Sequence, residues 1–279
     1  MKRLDLDEAE VHVKACVYGQ PGTGKTTFGV SAPSPLILLS ERQGLANVRA
    51  AAKRTKRPVP PTLYMEKLSD YRRVLRAIMA GAPTREVLRV TDDKGAVEYE
   101  GPFPETLVID SITDACSLVR EEIVAEAPPE KAKDGLEKWS ERHWAALRDR
   151  SEKLIRAFRN APCNVLFLAL LDDRTTGEGE QQERSVGPLF PMRALPGFLS
   201  SCVSVVGITT REIKSTRGDD AQREIVYGIR TTGPSYYMLK PFRPLKDEEV
   251  PDFASWVERI RAAGAAGEKI ADAAGKAGE

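Results

Sequence analysis

The segment Gly19-Gln20-Pro21-Gly22-Thr23-Gly24-Lys25-Thr26 constrains this chain more than any other feature, because it matches the spacing G-x-x-x-x-G-K-[ST] at every fixed position. Glycines at that spacing let a backbone wrap tightly enough for successive N–H groups to converge on one anion. The run Val11–Tyr18 before it alternates and then turns apolar, as a buried strand does. From Thr26 onward the pattern is helical until Ala32-Pro33-Ser34-Pro35 breaks it. Strand, glycine loop and helix in that order form the first unit of an α/β sheet.

Further short apolar runs extend the same alternation. Leu36–Leu39, Thr106–Asp110 and Val165–Leu171 read as buried strands. Leu45–Lys56 and Ser69–Ala80 read as helices, and a long helical stretch after Asp110 is interrupted at Pro128-Pro129 and resumes over Leu136–Asn160. Val87–Glu100 carries a hairpin signature around Asp92-Asp93-Lys94-Gly95 and is expected as an insertion at the edge of the sheet. Asp172–Gly187 is too hydrophilic for core and is expected as a surface loop. Phe198–Ile208, Ile225–Ile229 and Tyr236–Leu239 complete the sheet as short elements, and Pro251–Ala262 is a closing amphipathic helix. The fold class is therefore α/β, a mostly parallel twisted sheet with helices on both faces and a hairpin at about 87–100. It occupies one domain over 1–262, followed by an Ala/Gly-rich tail over 263–279 with the composition of a frayed or disordered end.

With 279 residues, 41% hydrophobic and 30% charged, the chain has the composition of an ordinary globular protein. Its opening residues lack the apolar core of a signal peptide, and no apolar run approaches the roughly 20 residues that span a bilayer. A cytoplasmic location without membrane contact is expected. Cys16, Cys116, Cys163 and Cys202 are scattered and sit in apolar segments, which fits small buried hydrophobes in a reducing compartment. A net charge of +1 gives no global pull toward nucleic acid. The stretch Arg42–Arg89 nevertheless carries twelve basic residues against Glu66, Asp70 and Glu86, either a phosphate-attracting patch or a solvated helical face.

The chemistry follows from residue types at fixed places. Gly19, Gln20, Pro21, Gly22, Thr23, Gly24, Lys25, Thr26 and Thr27 form the phosphate cradle for ATP. Lys25 reaches the β- and γ-phosphates, the Thr26 hydroxyl ligates Mg²⁺, and Thr27 adds a contact on the α-phosphate side. Asp110, at the end of a neighbouring buried strand, holds the Mg²⁺ water shell. Glu41, just after the second strand, is the candidate general base. No Asn-Lys-x-Asp run for reading guanine is present, which favours ATP.

Three stretches together resemble RecA-like P-loop ATPases, especially the short phage-encoded ones assigned to single-strand annealing and recombination. They are Val17–Thr27, the Glu41 step and Val108-Ile109-Asp110-Ser111-Ile112-Thr113, over a similarity spanning residues 10–262. The resemblance implies a ring or filament of identical subunits with ATP at the interface, acting on single-stranded DNA beside phage replication or recombination proteins in a host cytoplasm. It implies a DNA-binding loop at Arg174–Arg184, although acids there (Glu178, Glu180, Glu183) outnumber arginines. It implies a polar sensor near the end of the fourth strand, where this chain has Ala169-Leu170-Leu171. It also makes Lys240 and Arg243 candidates for cations reaching a neighbouring subunit's γ-phosphate. The Arg49–Arg57 region, Tyr236 and Tyr237 are further candidates for contacting DNA. Two other readings remain open: a nucleotide-dependent scaffold or replication-protein loader with little hydrolysis, and a small-molecule P-loop kinase.

Overall fold

Ala15, Cys16, Val17 and Tyr18 are all fully buried, so the strand that carries them has no solvent face. Such a strand needs helices on both sides, and the computed structural model shows them. It describes residues 11–131, 135, 137–177, 182–215 and 223–276. The first half runs β1 (Lys14–Gly19), α1 (Lys25–Val30), β2 (Pro35–Leu39), α2 (Gly44–Thr55), β3 (Thr62–Tyr64), α3 (Leu68–Gly81), β4 (Val87–Thr91), β5 (Val97–Pro102), β6 (Thr106–Asp110) and α4 (Ile112–Glu126). The second half runs β7 (Glu130–Lys131), β8 (Glu137–Lys138), α5 (Glu141–Arg159), β9 (Asn164–Thr176), β10 (Glu183–Pro188), α6 (Ala194–Cys202), β11 (Val205–Ser215), β12 (Arg223–Arg230), β13 (Glu248–Glu249) and α7 (Phe253–Lys276).

The main sheet has the order β13-β12-β11-β1-β9-β6-β2-β3, with β10 paired to β9. Every pairing from β11 to β3 is parallel; β12, β13 and β10 join antiparallel. Alternation along each strand divides the core in two. Ala15, Val17, Ile37, Leu39, Val108, Leu166 and Leu168 pack with Phe28 of α1, Val48 of α2 and Trp256 of α7. Cys16, Tyr18, Leu36, Leu38, Leu107, Ile109 and Phe167 pack with α3, α4, α5 and α6 on the other face. All four cysteines are free and buried within these layers. None of the described helices is long and apolar enough to cross a membrane.

Several expectations are corrected. The hairpin over 87–100 does not extend the main sheet; β4 and β5 form a separate two-stranded sheet. Its inward residues Leu88 and Val90 share a core with Tyr71, Val74 and Ile78 of α3, so burial holds it on a helix. The sheet edge belongs to β3, whose three residues carry too little periodicity to be read as a strand. The expected loop over 172–187 is mostly ladder: β9 runs on to Thr176 and β10 returns beside it, with residues 178–181 outside the described part. That ladder is polar because most of its side chains are exposed or only half-buried. Helix α5 begins at Glu141, after the short β7–β8 pair; Leu136 lies outside the described residues. Tyr236–Leu239 is an irregular segment held by the single bridge Val186↔Tyr237 rather than a strand. The closing helix expected over Pro251–Ala262 is present as α7, which brings Phe253, Trp256, Val257 and Ile260 into the core.

Candidate nucleotide site

The loop between β1 and α1 lies at the carboxyl end of the central strand. Gly24 has φ +93° in the left-handed region, which a glycine adopts without strain. Gly19 answers a different demand: a Cβ there would sit 1.9 Å from Thr209 Oγ1, so only glycine lets β11 come so close. Thr23 donates to Gln20 O at 2.6 Å and lies 2.6 Å from Thr209 Oγ1, which ties the loop to β11. Lys25 is buried, and its ammonium donates to Gly19 O at 2.7 Å and Gln20 O at 2.8 Å. Burial lowers the Lys25 pKa, while Asp110 works in the opposite direction.

Thr26 donates to Asp110 Oδ2 at 2.8 Å, across 84 residues of chain. Asp110 was expected on a strand adjoining the loop strand, and Glu41 likewise, but neither strand adjoins β1. β9 lies between β1 and β6, and β2 lies beyond β6. The carboxylate still reaches Thr26 because the hydroxyl sits on α1, which leans over β6 and β9: a Cβ on Gly29 of that helix would meet Val108 Cγ1 at 2.8 Å and Leu168 Cδ1 at 3.3 Å. Burial raises the Asp110 pKa; the Thr26 hydroxyl and Lys25 pull it down, and Asp114 and Glu41 push it up.

A cavity of about 490 Å³ opens over these groups, within the range of ligand sites. Pro21, Gly22, Gly24, Lys25, Thr26, Thr27, Glu41 and Asp110 all line it, so the structure brings most of the anticipated residues together. Lys240 and Arg243 do not line it. Lys240 donates to Ser200 O at 3.0 Å and Val203 O at 2.6 Å, which caps the carboxyl end of α6. Arg243 is exposed. Leu170 is the β9 residue on the cavity wall, so β9 presents an apolar side chain where a polar sensor was implied.

Asn47 of α2, Asp114 of α4 and Tyr227 of β12 on the wall were not singled out in the sequence, and Arg54 of α2 was read only as part of the basic Arg49–Arg57 region. Asp114 had a local signal, since Ser111 and Asp114 bond to each other as a helix cap directly after Asp110. The other three are brought in by chain crossings that no local pattern encodes. A larger hollow of about 600 Å³ lies beside Trp139 and His143, where Arg150 pairs with Glu126.

The donor set suits Mg²⁺. It consists of oxygen atoms, one hydroxyl and one carboxylate, and this ion commonly takes one or two protein ligands plus phosphate oxygens and water. Among the described residues no group of three or more His, Cys, Asp or Glu could hold a metal, so the protein alone does not cage an ion here.

Parallel sheet, glycine loop, lysine, hydroxyl and buried carboxylate together define an α/β P-loop protein built to bind nucleotide. A family described as an AAA domain matches residues 12–216, and the chain belongs to that family. No curated protein matches it. An ATPase from the type III secretion system of pathogenic bacteria superposes with a TM-score of 0.39 at 12% identity, covering 72% of this chain and 52% of that one. The chain thus spans about half the length of that ATPase. The flagellar accessory protein FlaH from Methanocaldococcus jannaschii superposes with a TM-score of 0.31 at 9% identity, covering 85% and 83%. Both likenesses are distant, and the strand order defines the fold class without them.

Proposed function

We propose that this chain hydrolyses ATP with Mg²⁺ on the β1–α1 loop. The observation that carries the reading is the Thr26–Asp110 hydrogen bond of 2.8 Å, made inside a cavity that Lys25 and Glu41 also line. Loop N–H groups and Lys25 bind and orient the phosphates, and the buried lysine acts in a medium that screens it poorly. Thr26 and Asp110 would hold Mg²⁺, which neutralises charge on the β- and γ-oxygens. Glu41, exposed to solvent on the rim, orients a water and accepts its proton. Leu170 contributes no hydrogen bond to that water, so Glu41 carries the task with little help from β9.

The wider reading is that hydrolysis drives work on single-stranded DNA by an oligomer of this chain. Arg54 of α2 lines the cavity, and Arg49, Lys53 and Lys56 of the same segment are exposed, which gives a place for a phosphate backbone. The 174–184 segment is a weaker candidate, because Arg174 pairs with Asp172 at 2.7 Å and Arg184 with Asp173 at 2.7 Å. In such an oligomer Arg243 is better placed than Lys240 to reach a neighbour's nucleotide, since Lys240 is engaged with its own chain.

Phosphate release with and without single-stranded DNA, on wild type and Glu41→Gln, tests both levels. The enzyme reading predicts a loss of about 10²–10⁴-fold in turnover for Glu41→Gln with ATP still bound. Stimulation of the wild type by DNA supports the wider reading. Wild type that binds ATP without releasing phosphate is a nucleotide switch, and the hydrolytic reading then fails.

A further inference from the structure

Tyr71 of α3 is fully buried and is not part of the cavity wall, yet its hydroxyl reaches the turn that carries Glu41. A phenylalanine would fill the same space against Phe158, whose ring meets Tyr71 edge-on with centroids 6.0 Å apart. A buried hydroxyl is unfavourable unless it is bonded, and this one finds Ser40 Oγ at 2.9 Å. Ser40 Oγ donates in turn to Ser111 O at 3.5 Å, which leaves Tyr71 as the donor to Ser40. Burial raises the Tyr71 pKa, so the phenol keeps the proton it donates.

Two loops of the site meet at Ser40. Strands β2 and β6 are neighbours, with Leu39 opposite Asp110. Ser40 follows Leu39 and donates its N–H to Asp110 O at 3.0 Å. Glu41 comes next in the chain, as Ser111 does after Asp110. One serine thus joins the strand end carrying the candidate base to the strand end carrying the Mg²⁺ carboxylate. Past Ser40 the turn has weaker holds. Glu41, Arg42 and Gln43 are exposed, and the Gly44 N–H bond to Glu41 O at 2.9 Å closes the turn on itself. Arg42 lies 3.9 Å from Glu66 and over the Tyr64 ring, both exposed, and surface contacts of this kind hold a loop poorly. The Tyr71–Ser40 hydrogen bond therefore ties the turn to the core from the sheet face opposite α1 and α2.

We propose that Tyr71 is a positioning residue for hydrolysis, acting through Ser40 to hold Glu41 in place relative to Asp110; this rests on the hydrolytic reading of the site. Tyr71 lies off the cavity wall, so its hydroxyl serves the attack on the phosphate and not the grip on the nucleotide. Removing that hydroxyl leaves the phosphate loop intact and lets Glu41 drift. A displacement of about 1 Å in a catalytic group costs on the order of 10²-fold in rate.

Turnover and Mg·ATP affinity of Tyr71→Phe, alone and combined with Glu41→Gln, separate positioning from general support of the fold. Tyr71→Phe is expected to lower kcat by about 10- to 100-fold with the Kd for Mg·ATP unchanged, and Ser40→Ala to do the same. Added to Glu41→Gln, Tyr71→Phe is expected to remove nothing more, because the group it positions is already disabled. Should one of the two variants fail to fold, the other carries the measurement. An unchanged kcat in Tyr71→Phe overturns the positioning role. So does an equal fall in the Glu41→Gln background, or a loss of ATP affinity that matches the loss of kcat. Each of these leaves the hydrolytic reading standing, whereas wild type that releases no phosphate overturns both.

Discussion

Asp110 is held under opposing demands. Burial and the neighbouring carboxylates of Asp114 and Glu41 raise its pKa, and only the Thr26 hydroxyl and Lys25 favour the charged form. A folded-state pKa above the unfolded value means the group's stabilising contribution is complete at low pH and is lost as pH rises through the folded value. Once ionised, the carboxylate is then a cost to the fold. Asp110→Asn is expected to raise the melting temperature of ligand-free protein by about 2–4 °C for each kcal/mol relieved. The same variant is expected to lose the further rise that Mg·ATP gives the wild type. Thermal melts with and without Mg·ATP check both halves. The loop and Asp110 were legible in the sequence, because their spacing or strand-end position is itself the chemistry. Tyr227 and Asn47 were not, since a tyrosine in a short strand and an asparagine in a helix are ordinary until the fold places them.

At the scale of elements, the end of α6 leaves the carbonyls of Ser200 and Val203, which Lys240 satisfies from a distant segment. Lys240→Met is expected to cost about 1–3 kcal/mol of stability, the price of leaving partly buried acceptors to water. Denaturant midpoints measure that loss, and turnover per folded molecule is expected to stay at the wild-type level. Arg243→Ala is expected to do the reverse, slowing turnover with no shift in midpoint, as an exposed cation serving a neighbour would. Strands Leu36–Leu39 and Thr106–Asp110 were read to within a residue because full burial leaves a continuous apolar run. Their order in the sheet was not legible: β9 inserts between β1 and β6 through pairings 151 and 58 residues apart, which local periodicity cannot register. Polar ladders such as the arms of β9 and β10 read as loop for a related reason, since a strand that buries little leaves little hydrophobic pattern.

Across the whole molecule, α7 closes the sheet from the far end of the chain. Phe28 of the loop helix packs edge-on to Phe253 and Trp256, with ring centroids 5.4 and 5.0 Å apart. Phe28→Ala is expected to cost about 3–5 kcal/mol and to loosen α1 together with α7, seen as a lowered denaturant midpoint and weaker ATP binding. At the opposite, amino end of β1, burial, Lys14 and Arg261 lower the His12 pKa to about 4. A depressed folded value gives stability that is present above the unfolded pKa of about 6.5 and lost as pH falls toward 4. Denaturant midpoints are expected to fall over that window in wild type, and less steeply in His12→Gln. Lys14, lowered to about 8 by burial, adds stability as pH rises from 8 toward 10.5.

The central claim is that this chain turns over ATP on the Gly19–Thr27 loop with Mg²⁺. Its most direct test is phosphate release from ATP by wild type and Lys25→Ala, each with Mg²⁺ and with a chelator. The account predicts turnover only for wild type with Mg²⁺. Equal turnover in Lys25→Ala, or turnover indifferent to Mg²⁺, would contradict it.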